Sequence, residues 1–412
     1  MSQLGDAEII IVGGGAVGCG VAYSLAKAGK TDLLLLEREP TLAAMTTSQA
    51  AGLVGQVRAS AERIRLAMWS VRTFSELQRD AAAGPNFRQV GSLRVALTDE
   101  RVAEFRRLEV LCRECGLDVE FIDRPAAAAQ WPAMNFDQAR AILWCPSDGY
   151  LQPSDLTMSY AAQARMLGAR FVTNTAVTGV ILENGRVAGV RTARGDVRCG
   201  TVINAAGAHA YQLACAAGLR LPIVPVRHHY FVTVHAENVT PNLPVVRIPD
   251  KTLYVRAEVN SLLIGGWEEN CLSHDPRPLA LDGDTPRLED DWDVMAWIGQ
   301  QASPLVPQVE RLGIRSVFKG WPTFTPDGRF IIGESRQVPG LVMAGGCNAH
   351  GVSGSAGIGR HVVESMLDPN PSEYVRSLSP DRFAEGTWDW ETARRDAEQV
   401  FRNYYAISPH YS

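Results

Sequence analysis

Six residues near the start of the chain, Gly13-Gly14-Gly15-Ala16-Val17-Gly18, have the types and spacing that let a backbone close on phosphate. Each outer glycine has its own job. Gly13 makes the tight turn, Gly15 lets the main chain approach a pyrophosphate, and Gly18 allows a helix to pack closely on a strand. Free N–H groups at the start of the following helix then face the anion. Glu37 follows Gly18 by nineteen residues, where its carboxylate would accept hydrogen bonds from ribose hydroxyls and disfavour a 2′-phosphate. A second glycine-rich turn comes more than three hundred residues later: Gly345-Gly346, then Asn348-Ala349-His350-Gly351-Val352-Ser353-Gly354 and Gly357. It too precedes a helical pattern, and a helix start there would stabilise negative charge on a ring system. A large dinucleotide gripped from both ends of the chain fits FAD better than NAD. One further spacing, Cys112-Arg113-Glu114-Cys115, resembles a redox or zinc pair. A zinc site needs a second pair, which the sequence lacks, and these two fall inside a helical pattern rather than at a helix start. No metal is expected.

The elements that must position these turns follow from hydrophobic periodicity. The first segment reads strand (Glu8 to Val12), turn, helix (Ala16 to Gly29), strand (Leu33 to Leu36). Helical stretches follow from Ala61 to Ala82, from Glu100 to Cys115 and from Pro153 to Leu167, the last opened by Pro and Ser-Asp. Gly91 to Leu97 alternates like a half-buried strand, and Ala169 to Asn174 and Thr201 to Asn204 are short β-rich runs. Between Val224 and Gly266 the pattern turns to successive strands without helices: Val226 to Val234, Lys251 to Arg256, Leu262 to Gly266. That predicts an antiparallel sheet. From Phe330 the strand–turn–helix pattern returns, with a strand over Val342 to Ala344 and a helix over Ser355 to Leu367. The fold class expected is α/β with an inserted α+β substrate domain. Its Rossmann-type FAD-binding domain uses residues 1–90, 145–220 and 325–370, and its antiparallel-sheet substrate domain residues 91–144 and 221–324. A C-terminal helix and tail, 371–412, would pack on the body.

Composition narrows the classes. The 412 residues suffice for two or three domains of core, and their 46% hydrophobic and 21% charged content is that of an ordinary globular protein. A net charge of −5 without a Lys/Arg-rich run argues against nucleic acid as a partner. The apolar stretch from Ile9 to Leu25 follows Asp6 and Glu8 rather than a basic segment, and glycines interrupt it. It reads as a strand running into a helix, not as a signal peptide. No other segment approaches the about 18 apolar residues of a membrane span, so a cytoplasmic location is expected. Cys19, Cys199 and Cys215 sit in apolar surroundings, as reduced core cysteines do.

Several further stretches carry a resemblance that covers nearly the whole chain. They are Thr46-Thr47-Ser48-Gln49-Ala50-Ala51-Gly52-Leu53-Val54-Gly55-Gln56; Gly91 to Ala96; Asp148-Gly149 with Pro153 to Leu156; Asn204-Ala205-Ala206-Gly207; Val224-Pro225-Val226 with His228 and Tyr230; Leu253-Tyr254-Val255-Arg256; Phe324 to Gly328; and Asn348 to Gly351. With them the chain resembles the D-amino-acid-oxidase-like flavoproteins, and more closely the FAD domain of dimethylglycine and sarcosine dehydrogenases. The resemblance implies oxidation of a secondary or tertiary amine, usually an N-methylated amino acid. The amine becomes an iminium, hydride passes to flavin N5, and hydrolysis releases an aldehyde. It also implies cofactor contacts from Gly13, Gly15, Ala16, Val17, Gly18, Glu37, Arg38, Thr47, Ser48, Gln49, Ala51, Gly52, Leu53, Val177, Ala206, Gly207, Gly346, Asn348, His350, Gly351 and Val352. The family's active-site histidine and tyrosine correspond to His228 and Tyr254. Strand alternation would put His228 and Tyr230 on one face and His229 on the other. An imidazole near the amine could take or hold its proton near neutral pH. Arg58, Arg227, Arg247 and Arg256 are candidates to grip a substrate carboxylate bidentately.

Three departures from the family pattern bear on function. Several relatives bind FAD covalently through a histidine at the position of Gln49, and an amide cannot form that bond, so non-covalent FAD is expected. The larger relatives continue into a folate-binding domain that captures formaldehyde. Folate coupling here would need a separate subunit, with release of free aldehyde the simpler expectation. Arg227 stands where relatives often carry an acid, which would alter the substrates accepted. Two other readings stay open: an oxidase or dehydrogenase of a primary or cyclic amino acid such as glycine or proline, and a flavin-carrying subunit of a hetero-oligomeric amine dehydrogenase. The electron acceptor could be oxygen, a quinone or an electron-transfer flavoprotein.

Overall fold

Ile9–Val12 and Leu33–Leu36 are apolar at every position, without alternation, which suits strands covered on both faces. In the computed structural model, which describes residues 4–80, 84–384 and 386–407, both are buried throughout and lie side by side in parallel, Ile9 opposite Leu33. They form the middle of a six-stranded sheet. In spatial order its strands are Ile331–Glu334, Leu341–Gly345, Thr201–Asn204, Ile9–Val12, Leu33–Leu36 and Arg170–Val172. All pairs are parallel except the first, an antiparallel edge. The sheet is a Rossmann-type layer drawn from both ends of the chain.

The helices Ala16–Lys27, Pro153–Met166 and Ser355–Leu367 pack together on one face. The first and third approach so closely that a Cβ on Gly359 would sit 2.7 Å from the Gly20 carbonyl oxygen. A three-stranded antiparallel meander, Val177–Glu183, Arg186–Thr192 and Gly195–Arg198, covers the other face with Val180, Val187, Val190 and Val197.

The second layer is an eight-stranded sheet. Its order is Ile314–Gly320, His228–His235, Ser261–Gly266, Leu253–Glu258, Val245–Ile248, Ser92–Ala96, Ala141–Cys145 and Glu120–Ile122. The antiparallel expectation holds for every pair but one. Val245–Ile248 and Ser92–Ala96 run parallel, with Arg247 beside Arg94. These strands belong to separate segments joined by long connections, so no hairpin constrains their directions. One face of the sheet packs on the Trp292–Ala302 helix through Val246, Val255, Ile264 and Ile298. On the other, Tyr230, Val232, Tyr254 and Leu263 meet Ala51 and Leu53 from the nucleotide side.

The C-terminal helix, Trp390–Arg402, starts on Asp389, whose side chain accepts from the Thr392 N–H. Phe401 wedges edge-on against Trp267 and Phe324, and the chain then turns Tyr404 and Tyr405 inward. Of the expected tail, residues 408–412 lie outside the described residues, as do residues 81 and 82 of the expected Ala61 to Ala82 helix, seen here as Ala61–Asp80. None of the helices is long and apolar enough to cross a membrane among the described residues. All eight cysteines are free. Cys112 is buried in the last turn of the Asp99–Glu114 helix, where burial pushes its thiol up to about 12, the environment of an inert residue.

Candidate active site

Between the two layers runs a continuous groove. Its nucleotide end is lined by Gly13 to Gly15, Glu37, Arg38, Val177, Ala206 and Gly207. Its inner end is lined by Gly15, Ala16, Val17, Gln49, Ala51, Gly52, Leu53, Arg58, His228, Arg247, Tyr254, Gly351 and Val352 among others. Gly15, Thr47, Gln49 and Gly207 line both.

Main-chain geometry builds the nucleotide end. Gly13 has φ +111°, left-handed space that favours glycine, and a Cβ there would lie 2.4 Å from the Ala205 carbonyl oxygen. A Cβ on Gly18 would meet the Gly13 carbonyl oxygen at 1.9 Å, and one on Gly15 would meet Thr47 Oγ1 at 2.9 Å. The Ala16–Lys27 helix has no side-chain cap, and Ala16 N–H donates to Thr47 Oγ1 at 3.1 Å. Glu37 accepts from the Gly14 N–H at 2.6 Å and the Glu39 N–H at 2.8 Å. Burial pushes its carboxyl up against the pull of those two donors. Arg38 reaches across to the far wall and donates to the Gly283 carbonyl at 2.8 Å and to Asp284.

The inner end is built from side chains. His228 Nε2 lies 2.8 Å from the Tyr254 hydroxyl, and its Nδ1 has no partner among the described residues. The imidazole stacks on Trp267 at 4.3 Å, Trp267 on Tyr404 at 3.7 Å, and the Tyr404 hydroxyl reaches His350 Nε2 at 3.2 Å. Burial drives His228 down to about 3, so its ring is neutral, and burial raises Tyr254 well above 10, so its hydroxyl stays protonated. The far glycine turn supplies the remaining wall. Gly346, Asn348 and Ala349 take positive φ, and the Asn348 side chain ties the turn to Gly346 and Thr325. The Gly351 and Val352 N–H groups make no hydrogen bond with the described residues.

Not every expected residue reaches the groove. Gly18 and Gly346 act as backbone clearances behind it, and Ser48 turns its hydroxyl to the Ala44 and Met45 carbonyls. The inner lining passes from Ala349 to Gly351, leaving Asn348 and His350 one layer back. Arg227 faces away from the cavity and pairs with Asp291 at 2.8 Å and Glu268 at 3.5 Å. Arg256 is spent on the Ala51 and Ala257 carbonyls and Glu258. Of the four arginines, Arg58 and Arg247 remain. His229 points to the opposite side of its strand from His228, and Tyr230 shares the cluster with Tyr254, as alternation requires. Trp267, Tyr404 and Tyr405 carry no motif. The inward turn after the C-terminal helix, which brings the two tyrosines to the cavity, leaves no local signal.

A glycine turn on an uncapped helix, a buried acid beyond the second strand and a second unsatisfied turn facing a histidine–tyrosine pair define a dinucleotide-dependent enzyme of two layers. The family model for FAD dependent oxidoreductases (DAO) matches residues 8–365, and the chain belongs to that family. It is 30% identical over 91% of its length to 4-methylaminobutanoate oxidase (formaldehyde-forming) of Paenarthrobacter nicotinovorans. Over 98% it is 31% identical to mitochondrial sarcosine dehydrogenase of Homo sapiens. It spans less than half of those relatives, 45% and 44% of their lengths. Its fold is also that of L-proline dehydrogenase from P. horikoshii, with a TM-score of 0.83 and 24% identity over 92% of this chain and 98% of that one. The uncapped helix start, the glycine clearances and the free N–H groups of the far turn fit FAD.

Proposed function

We propose that this protein oxidises the C–N bond of a secondary or tertiary amine, an N-methylated amino acid, with hydrolysis of the resulting iminium to an aldehyde. The observation that carries this reading is the neutral pair of partly buried His228 and buried Tyr254, facing the same cavity as Arg58 and Arg247, which form no ion pair among the described residues. The 30% and 31% identity to two enzymes named for N-methylated amines supports it.

Bound FAD would supply the two-electron oxidation. Residues 13–18 and Glu37 would hold its pyrophosphate and ribose, and Gly351 and Val352 its ring. Gln49 offers an amide where a covalent link would need a nucleophile, so the flavin is held without a bond. Arg58 or Arg247 would take the carboxylate bidentately and set the substrate's direction. His228 has too low an affinity for protons to carry a charge at pH 7. Its part is to accept or donate a hydrogen bond at the amine and to leave no water there. If Nε2 donates to Tyr254, Nδ1 is a free acceptor and the tyrosine hydroxyl is free to donate to the substrate. A dry site bordered by two guanidiniums disfavours an ammonium, and so selects the neutral amine that oxidation requires.

The test is anaerobic mixing of the purified flavoprotein with sarcosine, dimethylglycine, 4-methylaminobutanoate, glycine and proline. Bleaching by an N-methyl substrate is expected. Bleaching by proline or glycine alone would transfer the assignment to amino-acid oxidation. No bleaching by any amine would leave the reading of a flavin-carrying subunit. Acid precipitation should release all flavin to the supernatant, and colour in the pellet would refute the role given to Gln49.

A further inference from the structure

Behind Tyr404 and Tyr405 lies a second cavity, lined in part by Asn348 and His350 of the far glycine turn. Arg63, Arg94 and His350 line it, together with Arg58 and Arg247, which also line the inner end of the groove. The tyrosines themselves border both spaces and form the partition between them.

Four guanidiniums gather here: burial first of all holds those of Arg58, Arg63 and Arg94 down, whereas Arg247, equally enclosed, is held up against burial by Tyr405, Tyr404 and Asp148. Arg94 and Arg247 are direct neighbours across the parallel pair of the eight-stranded sheet, where like charges repel. Arg58 and Arg94 donate to the same oxygen, the Val57 carbonyl, at 3.0 and 2.9 Å. Arg63 lies 3.1 Å from His350 Nδ1, which its 2.7 Å contact with the Asn348 carbonyl makes a donor, and Arg247 donates to the Tyr405 hydroxyl, so among the described residues no hydrogen bond of the four ends on a charged atom. Arg247 is only 6% exposed, and its Nε and that of Arg94 are buried without partners among the described residues. Two carboxylates are near, and one of them, Glu104, lines the chamber itself beside Arg101. Glu104 is engaged by Arg101 at 2.6 Å, and Asp148 accepts from Ser92 and twice from Gln56. Burial first, and then Arg247, Arg94 and Arg63, hold Arg58 down to about 10, against the opposing pull of Tyr404. A buried cation without a counter-charge is costly, whereas a carboxylate between two guanidiniums forms paired, charge-assisted bonds.

One carboxylate would occupy Arg58 and Arg247 from the amine side. It would leave Arg63 and Arg94, which line only the space beyond the tyrosines, still without an anion. The geometry points to a substrate with two anionic groups: an N-alkyl aminodicarboxylate whose amine meets His228 and Tyr254 and whose distal carboxylate passes the tyrosine pair to reach Arg63 and Arg94. This deepens the amine-oxidation reading and rests on it for the amine half alone.

The two halves are tested separately. Calorimetric titration of the flavin-loaded protein with glutarate, acetate and inorganic phosphate reads the anion chamber without turnover. Glutarate should bind about tenfold more tightly than acetate, the worth of one added charge-assisted contact. Arg94→Met should bring that ratio close to one, and Arg63→Met serves the same purpose if Arg94→Met does not fold. Equal affinities for glutarate and acetate, an unchanged ratio in both variants, or phosphate binding as tightly as glutarate would overturn the dicarboxylate assignment. In the second arm, N-methylglutamate should bleach the flavin with a higher kcat/KM than sarcosine, the advantage lying in KM and vanishing in Arg94→Met. Glutarate binding without bleaching by any N-methyl amine would retain the chamber and remove amine oxidation. Bleaching by sarcosine with no glutarate preference would do the reverse.

Discussion

The two ends of the groove handle charge in opposite ways. At the nucleotide end a single acid, Glu37, is met by two N–H donors, and the walls are backbone brought close by glycines 13, 15 and 18. At the inner end two arginines face a neutral histidine and a protonated tyrosine, and side chains from widely separated stretches of chain join the backbone of the far glycine turn to make the walls. A backbone site tolerates no added atoms but is indifferent to which substrate arrives later. A side-chain site keeps its shape through many substitutions but changes its chemistry with each one.

The largest effect that would test this contrast comes from Gly18→Val. Its side chain would begin on the Gly13 carbonyl oxygen, so the variant should purify without flavin; wild-type flavin absorbance per chain would break the backbone account. Next is His228→Ala, which should slow anaerobic flavin reduction by about tenfold with flavin content unchanged, the worth of one hydrogen bond at the amine. A rate within a factor of two of wild type would take His228 out of the site.

The pH dependence of stability is the third test. Burial holds His228 near 3 and His229 near 4, both below the ordinary 6.5. A base whose folded pKa is depressed adds stability above its unfolded pKa and loses it as pH falls. The unfolding free energy from denaturant titration should therefore fall from about pH 6.5 downward, by about 2 kcal/mol per histidine at pH 5. A double His228→Gln, His229→Gln variant should flatten that slope, and an unaltered slope would contradict the burial assigned to both rings. The smallest effect is expected of Glu37→Gln, about tenfold weaker FAD retention measured by fluorescence on dilution, since the amide keeps one acceptor and loses the charge. No weakening would show that the ribose is held elsewhere.

The same contrast explains what could be read from the chain. Leu33–Leu36, Thr201–Asn204 and the Ser355–Leu367 helix lie where the pattern of apolar runs and glycines puts them, because burial on both faces and a tight turn each leave a local signal. The hairpin joining Val177–Glu183 to Arg186–Thr192 has such a signal in Asn184-Gly185, both at positive φ, yet its strands mix charged with apolar residues and do not stand out. Arginines were the least legible. Arg227 and Arg256 look like Arg58 and Arg247 in sequence. What separates them is Glu268 and Asp291, acids that folding alone delivers to Arg227, and Glu258, which lies two residues beyond Arg256 on the same face of its strand. His228 and Tyr254 were named through resemblance to a family, not through spacing, and their 2.8 Å contact joins strands 26 residues apart.

The ladder from His228 through Trp267 to Tyr404 ties the reacting end to a short piece of chain beyond the last helix. A protease that cut after Arg402 would leave every glycine clearance and the whole six-stranded sheet in place. It would strip one wall from the inner cavity and open the arginine chamber to bulk water. The clipped product would still be yellow, and idle, so colour alone would be a poor certificate of an intact preparation.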